Sequence, residues 1–230
     1  MLIDALRGFA DDPALTIISL ITMIIVLLIS LTVHEYSHAR MALAMGDQTA
    51  LLMGRLTLNP IHHIDPVGGL MLLLFGFGYA KPVPINTRNF TKVGYKAGLA
   101  LVSLAGPLSN LVLAFIGILG WHILDTVYYH LGFSYNIYLV AVYFFFYFTY
   151  MNIGLMVFNL IPIPPLDGSR LLTIFLPGKI QVMFFKYEHI IQLVIFFLLW
   201  RGVFDGPLFA IRNAVFSVLD RLVSLIPFLL

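Results

Sequence analysis

From Ala14 the chain is apolar for about 20 positions before a charge appears, and the run as a whole reaches Met41. At 1.5 Å per helical residue that is enough to cross a hydrocarbon core of roughly 30 Å. This is span A. Residues 97–120 hold no charge at all, and residues 137–160 form a second uncharged run, rich in Tyr and Phe, that stops before Pro162. These are spans B and C. Residues 188–204 and 207–230 are apolar but broken by Arg201, Arg212, Asp220 and Arg221. The first reads as span D, and the second as a possible fifth span or an interfacial helix. Between A and B, residues 46–96 differ in kind, holding Gly, Pro, Asn and much of the basic charge. Their one apolar stretch, Val67 to Ala80, is too short and glycine-rich to span and reads as re-entrant or strand-like. Non-helical backbone at that depth is tolerated only where protein or a water-filled cavity satisfies its amides, so the stretch is expected to line a site. The pattern predicts an all-α polytopic membrane protein, a single membrane-embedded domain over 1–230 with four to five transmembrane helices plus a re-entrant or β-like loop.

Composition agrees. Of 230 residues, 60% are hydrophobic and only 10% charged, and the mean hydropathy is +0.97. A soluble fold needs roughly 25% charged residues to cover its surface, so a soluble globule is excluded and the bilayer is the first partner. There is no cysteine, which removes disulfides, thiolate catalysis and cysteine-ligated zinc. A net charge of +2 is too small to imply nucleic acid. Asp4, Asp11 and Asp12 accompany Arg7 before the first apolar run, so that run is expected to be kept as a span and not removed as a signal peptide.

The charges also orient the spans. The loop from Trp121 to Asn136 has no Lys or Arg, whereas the A to B connection carries Arg55, Lys81, Arg88, Lys92 and Lys96. Arg170, Lys179 and Lys186 follow span C. The positive-inside rule places these basic connections in the cytoplasm, with A to D alternating from an extracytoplasmic N-terminus.

Near the end of span A stands His34-Glu35-Tyr36-Ser37-His38, an H-E-x-x-H sequence. Histidines at i and i+4 share one helix face and can bind one zinc ion, with the glutamate between them in reach of the attacking water as general base. Ionisable residues inside a span are costly, so three in five positions need a reason beyond packing. A polar helix end at the lipid headgroups, with Arg40 following, is the plainer alternative, but it requires no such spacing. Zinc needs a third protein ligand, and Asp65, Asp167 and Glu188 are the candidates. Asp167 follows the proline-rich end of span C, and A and C, separated by one span, run parallel and exit on the same side. The histidine pair and Asp167 can therefore meet. Glu188 stands at a span boundary between Tyr187 and His189, close to Lys186, which suits an interfacial role.

The H-E-x-x-H on an early span and the Leu166-Asp167-Gly168 after a later one resemble the site-2 protease family of intramembrane zinc metalloproteases. Asn59-Pro60-Ile61-His62-His63-Ile64-Asp65-Pro66-Val67-Gly68, Tyr79-Ala80-Lys81-Pro82-Val83-Pro84 and Gly106-Pro107-Leu108-Ser109-Asn110 are similar to motifs of its compact prokaryotic members. The resemblance implies one Zn2+ held by His34, His38 and Asp167, with Glu35 as catalytic base and Asn159 holding the substrate or its oxyanion. It also implies a transmembrane protein as substrate and a prokaryotic inner (cell) membrane as location, with the site near the cytoplasmic side. The family's regulatory domains have no counterpart here.

Lys81 and Pro82, after the re-entrant stretch, are candidates for binding an extended substrate as an added strand. Asn159 has the alternative of capping the broken end of span C. His63 and Asp65 are expected to support the ligands or hold their loop. Asn110, four residues after Gly106 on span B, is expected to bond across a close helix interface. Three rival readings remain. One is a metal or proton transporter built on the same His and Asp, and another a non-proteolytic relative. The third is a prenyl-protein-processing type of membrane zinc protease, which would take Glu188 as third ligand.

Overall fold

The computed structural model of the chain describes residues 12–75 and 81–226. The charged N-terminal positions Asp4, Arg7 and Asp11, residues 76–80 of the re-entrant stretch and the last four residues of the chain lie outside that description. Helix α1, Pro13–Met45, is capped by Asp12, whose Oδ1 accepts from the Leu15 N–H at 2.9 Å, with proline at the first helical position. It ends at Gly46, whose φ of 111° is closed to side chains with a Cβ, and a Cβ there would also collide with Thr91. A short α2 (Thr49–Leu52) and a 3-10 turn (Pro60–His62) lead into α3, Pro66–Phe75.

Over residues 66–75 the re-entrant stretch is therefore helical and not strand-like, and no strand occurs among the described residues. The cause is local. Asp65 Oδ1 accepts from Val67 N–H at 3.0 Å and Gly68 N–H at 2.9 Å, and Pro66 is preset for a first helical position. The extended piece comes later, at residues 81–86. It is tied at one end by Lys81 N–H to His63 O, 2.9 Å, and by Arg55 to Lys81 O, 2.7 Å. At the other end Asn86 N–H donates to Asp47 Oδ2, 2.7 Å.

Helix α4, Tyr95–Leu131, has 37 residues, and α5, Tyr135–Asn159, has 25. The expected B to C loop shrinks to residues 132–134, because Trp121 to Leu131 continue the helix and only Gly132, at φ 58°, stops it. The absence of Lys and Arg there does not mark a break in the helix. Helices α1, α4 and α5 pack against one another. Among the described residues these three are long and apolar enough to cross a membrane.

After α5 come α6 (Asp167–Thr173), α7 (Gly178–Lys186), α8 (Glu188–Trp200) and α9 (Asp205–Ser224). Where span D was expected, α8 has 13 residues, about 20 Å, short of a hydrocarbon core. With Gly178–Phe184 it forms a pair apolar enough to span, bent by 58°. Helix α9, the possible fifth span, runs back along α4 and α5. Its first turns line the same cavity as Asp167, and it stacks Phe216 on Tyr150 and brings Asp220 to His122 on α4. Its Leu219 and Val223 join Ala114, Ile118, Ile153, Met156 and Val157 in the main core. The result is an all-α polytopic membrane protein with its core between α4, α5 and α9.

Candidate metal centre

His34 and His38 project from α1 toward α4, and both are buried. The i, i+4 spacing puts them one above the other, with Nε2 atoms 3.1 Å apart. Asp167 enters from the start of α6, where the turn 160–166 reverses the chain below α5. Its Oδ2 lies 3.1 Å from each Nε2. Room for this meeting comes from α4: a Cβ at Gly106 would fall 2.6 Å from His34 Nε2 and closer still to His38 Nε2. At Gly168 a Cβ would fall 2.5 Å from Ile161 O, so the Asp-Gly pair lets α6 press against the turn that aims Asp167.

The proton bookkeeping of the three residues identifies their purpose. His38 Nδ1 faces Val102 O at 2.7 Å, an acceptor only, so Nδ1 carries the proton. His34 Nδ1 faces Asn110 Oδ1 at 2.5 Å. The orientation of that amide is set by its neighbours, since Asn110 Nδ2 donates to Asn152 Oδ1 at 2.8 Å and to Ser30 O at 3.4 Å. Asn152 Nδ2 in turn donates to Phe148 O at 2.8 Å and Ser30 Oγ at 2.9 Å. Both histidines are thereby fixed as Nδ1–H tautomers. With neutral imidazoles, two Nε2 lone pairs and a carboxylate then converge with no donor among them, an arrangement suited to a metal cation. The size fits too: points 3.1 Å apart pairwise lie about 1.8 Å from their common centre, inside the roughly 2.0–2.1 Å of zinc–nitrogen and zinc–oxygen bonds. Among the described residues this is the one group of three such ligands so placed.

Glu35 is buried one position on, and its Oε2 accepts from the Val83 N–H at 3.0 Å. The extended segment 81–86 therefore runs past the general-base candidate, with Pro82 and Val83 on the wall of a cavity that also holds His34, His38 and Asp167. Asn159 is on that wall, its Nδ2 donating to Leu155 O at 3.0 Å, the local bond of a side chain near its helix end.

Other expected residues stand elsewhere. Lys81 is exposed and meets the site only through its backbone ties. His63, fully buried, contacts Thr57 O at 2.7 Å through Nε2, and Asp65 caps α3. Both hold the loop and touch no ligand atom. Glu188, at the start of α8, is not one of the clustered ligands. Asn152 and Ser30, which orient Asn110, carry no motif. Their only sequence signal is polarity within apolar runs.

Two imidazoles and a carboxylate beside a buried glutamate, set in a bundle of apolar helices, are the donor set and base that a membrane zinc metalloprotease requires. The sequence profile described as Peptidase family M50 matches residues 127–201. The "Putative zinc metalloprotease YwhC" of Bacillus subtilis (strain 168) is 41% identical over 183 residues, covering 76% of this chain and 79% of that protein. The "Putative zinc metalloprotease Rip2" of Mycolicibacterium smegmatis is 31% identical over 151 residues, and that of Mycobacterium tuberculosis (strain Erdman) 34% over 148; each alignment covers 61% of this chain and 52% of the relative. No solved structure matches the chain. The chain belongs to peptidase family M50, the site-2 proteases.

Proposed function

We propose that the chain is an intramembrane endopeptidase that cleaves transmembrane segments of membrane-protein substrates. His34, His38 and Asp167 hold one zinc ion and Glu35 acts as general base. The observation that carries this is Glu35 itself: a carboxylate anchored through Oε2 to Val83 N–H, facing the same cavity as the three ligands. Bound zinc supplies Lewis acidity, polarising the scissile carbonyl and making water a better acid. Glu35 takes the proton from the attacking water and returns it to the leaving amine. Its Oε1 has no hydrogen-bond partner among the described residues, which leaves that oxygen for the proton. Asn159 releases Leu155 O and turns its amide toward the substrate carbonyl, where the developing oxyanion needs a donor.

The segment 81–86 receives the substrate. Unwinding a helix strips its amides of partners, and an extended neighbour with free carbonyls replaces them. Lys81 and Pro82 set where that segment begins. His63 and Asp65 keep its approach in place, and Asn110 keeps the His34 tautomer. The basic residues Arg55, Lys81, Arg88, Lys92, Lys96, Arg170, Lys179 and Lys186 belong to the connections that follow α1 and α5, near whose ends the ligands stand in the sequence, which supports a site near the cytoplasmic side of a prokaryotic inner membrane. The test is Glu35→Gln in the full chain, assayed on a reconstituted transmembrane peptide with zinc content measured in parallel. Zinc stays near one per chain and cleavage falls by about 10²–10⁴-fold. Cleavage at the wild-type rate would overturn the role of Glu35.

A further inference from the structure

The cavity that begins at the metal ligands has a volume of about 1060 Å³ and extends well beyond them, along α5 and α9. Many of its lining side chains are Leu, Met, Phe and Tyr, and beyond Glu35 and the ligands the charged residues on its walls are Arg170, Asp205 and Arg212 of α9. The guanidinium lies over the Tyr150 ring, 5.8 Å from its centroid, and Nε is buried without an acceptor. None of the ion pairs among the described residues includes Arg212. On its own helix the acidic residues are Asp205 and Asp220, two turns away on either side, about 10–12 Å, and Asp220 is already engaged by His122 at 2.8 Å. An arginine in an apolar cavity at membrane depth is costly, and it calls for a partner. A planar guanidinium with one face on an aromatic ring keeps its edge for a bidentate anion, and a carboxylate has the matching geometry.

Position says where that carboxylate comes from. Tyr150 precedes Asn159 by nine residues on α5, so Arg212 stands about 13 Å from the metal end of the cavity, or about four residues of extended chain. A peptide drawn past Glu35 and the segment 81–86 has to fill this space. An acidic side chain in an otherwise apolar transmembrane segment is itself penalised in lipid. Bringing it to Arg212 relieves both unpaired charges in one step. We propose that Arg212 is a specificity-determining residue, pairing with an Asp or Glu side chain of the substrate's transmembrane segment about four residues from the scissile bond. This rests on the proteolytic reading of the cavity given above.

The test uses the full chain in phosphatidylcholine vesicles and a transmembrane peptide carrying a single Glu, or Gln as its control, moved through the six positions on either side of the cleaved bond. The readout is the Glu to Gln ratio of kcat/KM at each register, which cancels differences in folded fraction. A peak of at least tenfold near the fourth position is expected, falling to within twofold in Arg212→Gln. In Arg212→Glu the preference at that register passes to Lys. A flat scan with cleavage intact, or an unchanged peak in Arg212→Gln, overturns the proposal. So does an Arg212 dependence that follows added phosphatidylglycerol and ignores the Glu register, which would assign the arginine to lipid phosphate. Binding of the same peptides to Glu35→Gln protein is the second measurement. Affinity for the Glu peptide drops about tenfold when Arg212→Gln is added. That binding result judges Arg212 even where no peptide is cut, a failure that would count against the proteolytic reading instead.

Discussion

Two histidine–aspartate contacts lie against α4, at Asn110 and at His122, about 18 Å apart along the helix. At the first, His34 and His38 are 4% exposed and Asp167 8%. At the second, the side chains of His122 and Asp220 are 29% and 41% exposed. The residue types are the same, but the hydrogen-bond balance is opposite. Asn110 and Val102 take both Nδ1 protons at the first site and leave three acceptors facing one another. At the second, His122 Nε2 meets Asp220 Oδ1 at 2.8 Å, an ordinary donor and acceptor beside water. Burial alone does not make the difference, because Asp47 is fully buried too and is surrounded by donors. Thr49 N–H and Asn89 Nδ2 reach its Oδ1 at 3.0 Å each, and Asn86 N–H its Oδ2 at 2.7 Å. A metal centre needs buried acceptors without donors, and only one of the three places has them.

The largest effect follows from deleting an acceptor at the first site. Asp167→Ala leaves two imidazoles, and bound zinc per chain falls from about one to near zero with cleavage lost by at least about 10³-fold. Asp220→Ala, at the matching contact, leaves zinc and cleavage unchanged. Elemental analysis of the two purified variants decides it. Equal zinc in both would erase the distinction between the contacts.

Next in size is Asn110→Leu. Without an acceptor at Nδ1, the His34 proton is free to move to Nε2, where it competes with the metal. Zinc affinity drops by about 10–100-fold, as measured by chelator competition. If affinity holds, the tautomer of His34 is not set by Asn110 and the acceptor imbalance has another origin.

How far these sites can be read from sequence differs for the same reason. His34, Glu35 and His38 declare themselves by spacing along a single helix, and Asp167 by the parallel course of spans A and C, which needs only the order of the spans. Asn152 and Ser30 are invisible in that way. An asparagine in an aromatic run gives no sign of which neighbour it faces, and their roles exist only once three helices have packed. The helix over Pro66–Phe75 was legible in Asp65-Pro66, a cap and first-turn pair, but glycine content and short length point toward irregular backbone. Helix α4 outruns its uncharged stretch because helix length follows capping, here Gly132, while hydropathy reports only the environment. The place of Arg212 on the cavity wall depends on α9 running back along α5, which span order alone does not give.

A smaller effect is expected at Asp47. Burial pushes its carboxyl up, but the hydrogen bonds from Thr49, Asn86 and Asn89 outweigh this and hold it below the usual carboxylate range. With the folded value depressed, its contribution to stability is complete above the unfolded value near 3.9 and disappears only as pH falls through the folded one. Asp47→Asn turns a donor toward donors and costs about 1–3 kcal/mol at the loop that presents segment 81–86. The loss, read as a lower midpoint in detergent unfolding, is the same at pH 5 and pH 8. A cost that had already vanished at pH 5 would mean the carboxyl is protonated there, held above the usual carboxylate range and not below it, and Asp47 would no longer contrast with the half-exposed contact.

The smallest effect belongs to the outer contact. His122 and Asp220 join α4 to α9 across a half-exposed gap, where water screens the charges and two side chains give up rotamer freedom to meet. A double-mutant cycle of His122→Ala and Asp220→Ala is expected to give a coupling of about 0.2–1 kcal/mol, weaker in high salt. Zinc stoichiometry stays at wild type throughout, because neither side chain touches a ligand. The hydrophobic contacts of Leu219 and Val223 with the α4 and α5 core hold this end of α9 whether or not the ion pair forms. A coupling above about 2 kcal/mol, or zinc lost from either variant, would show that the outer pair is wired to the metal end along α4 and would remove the contrast between them.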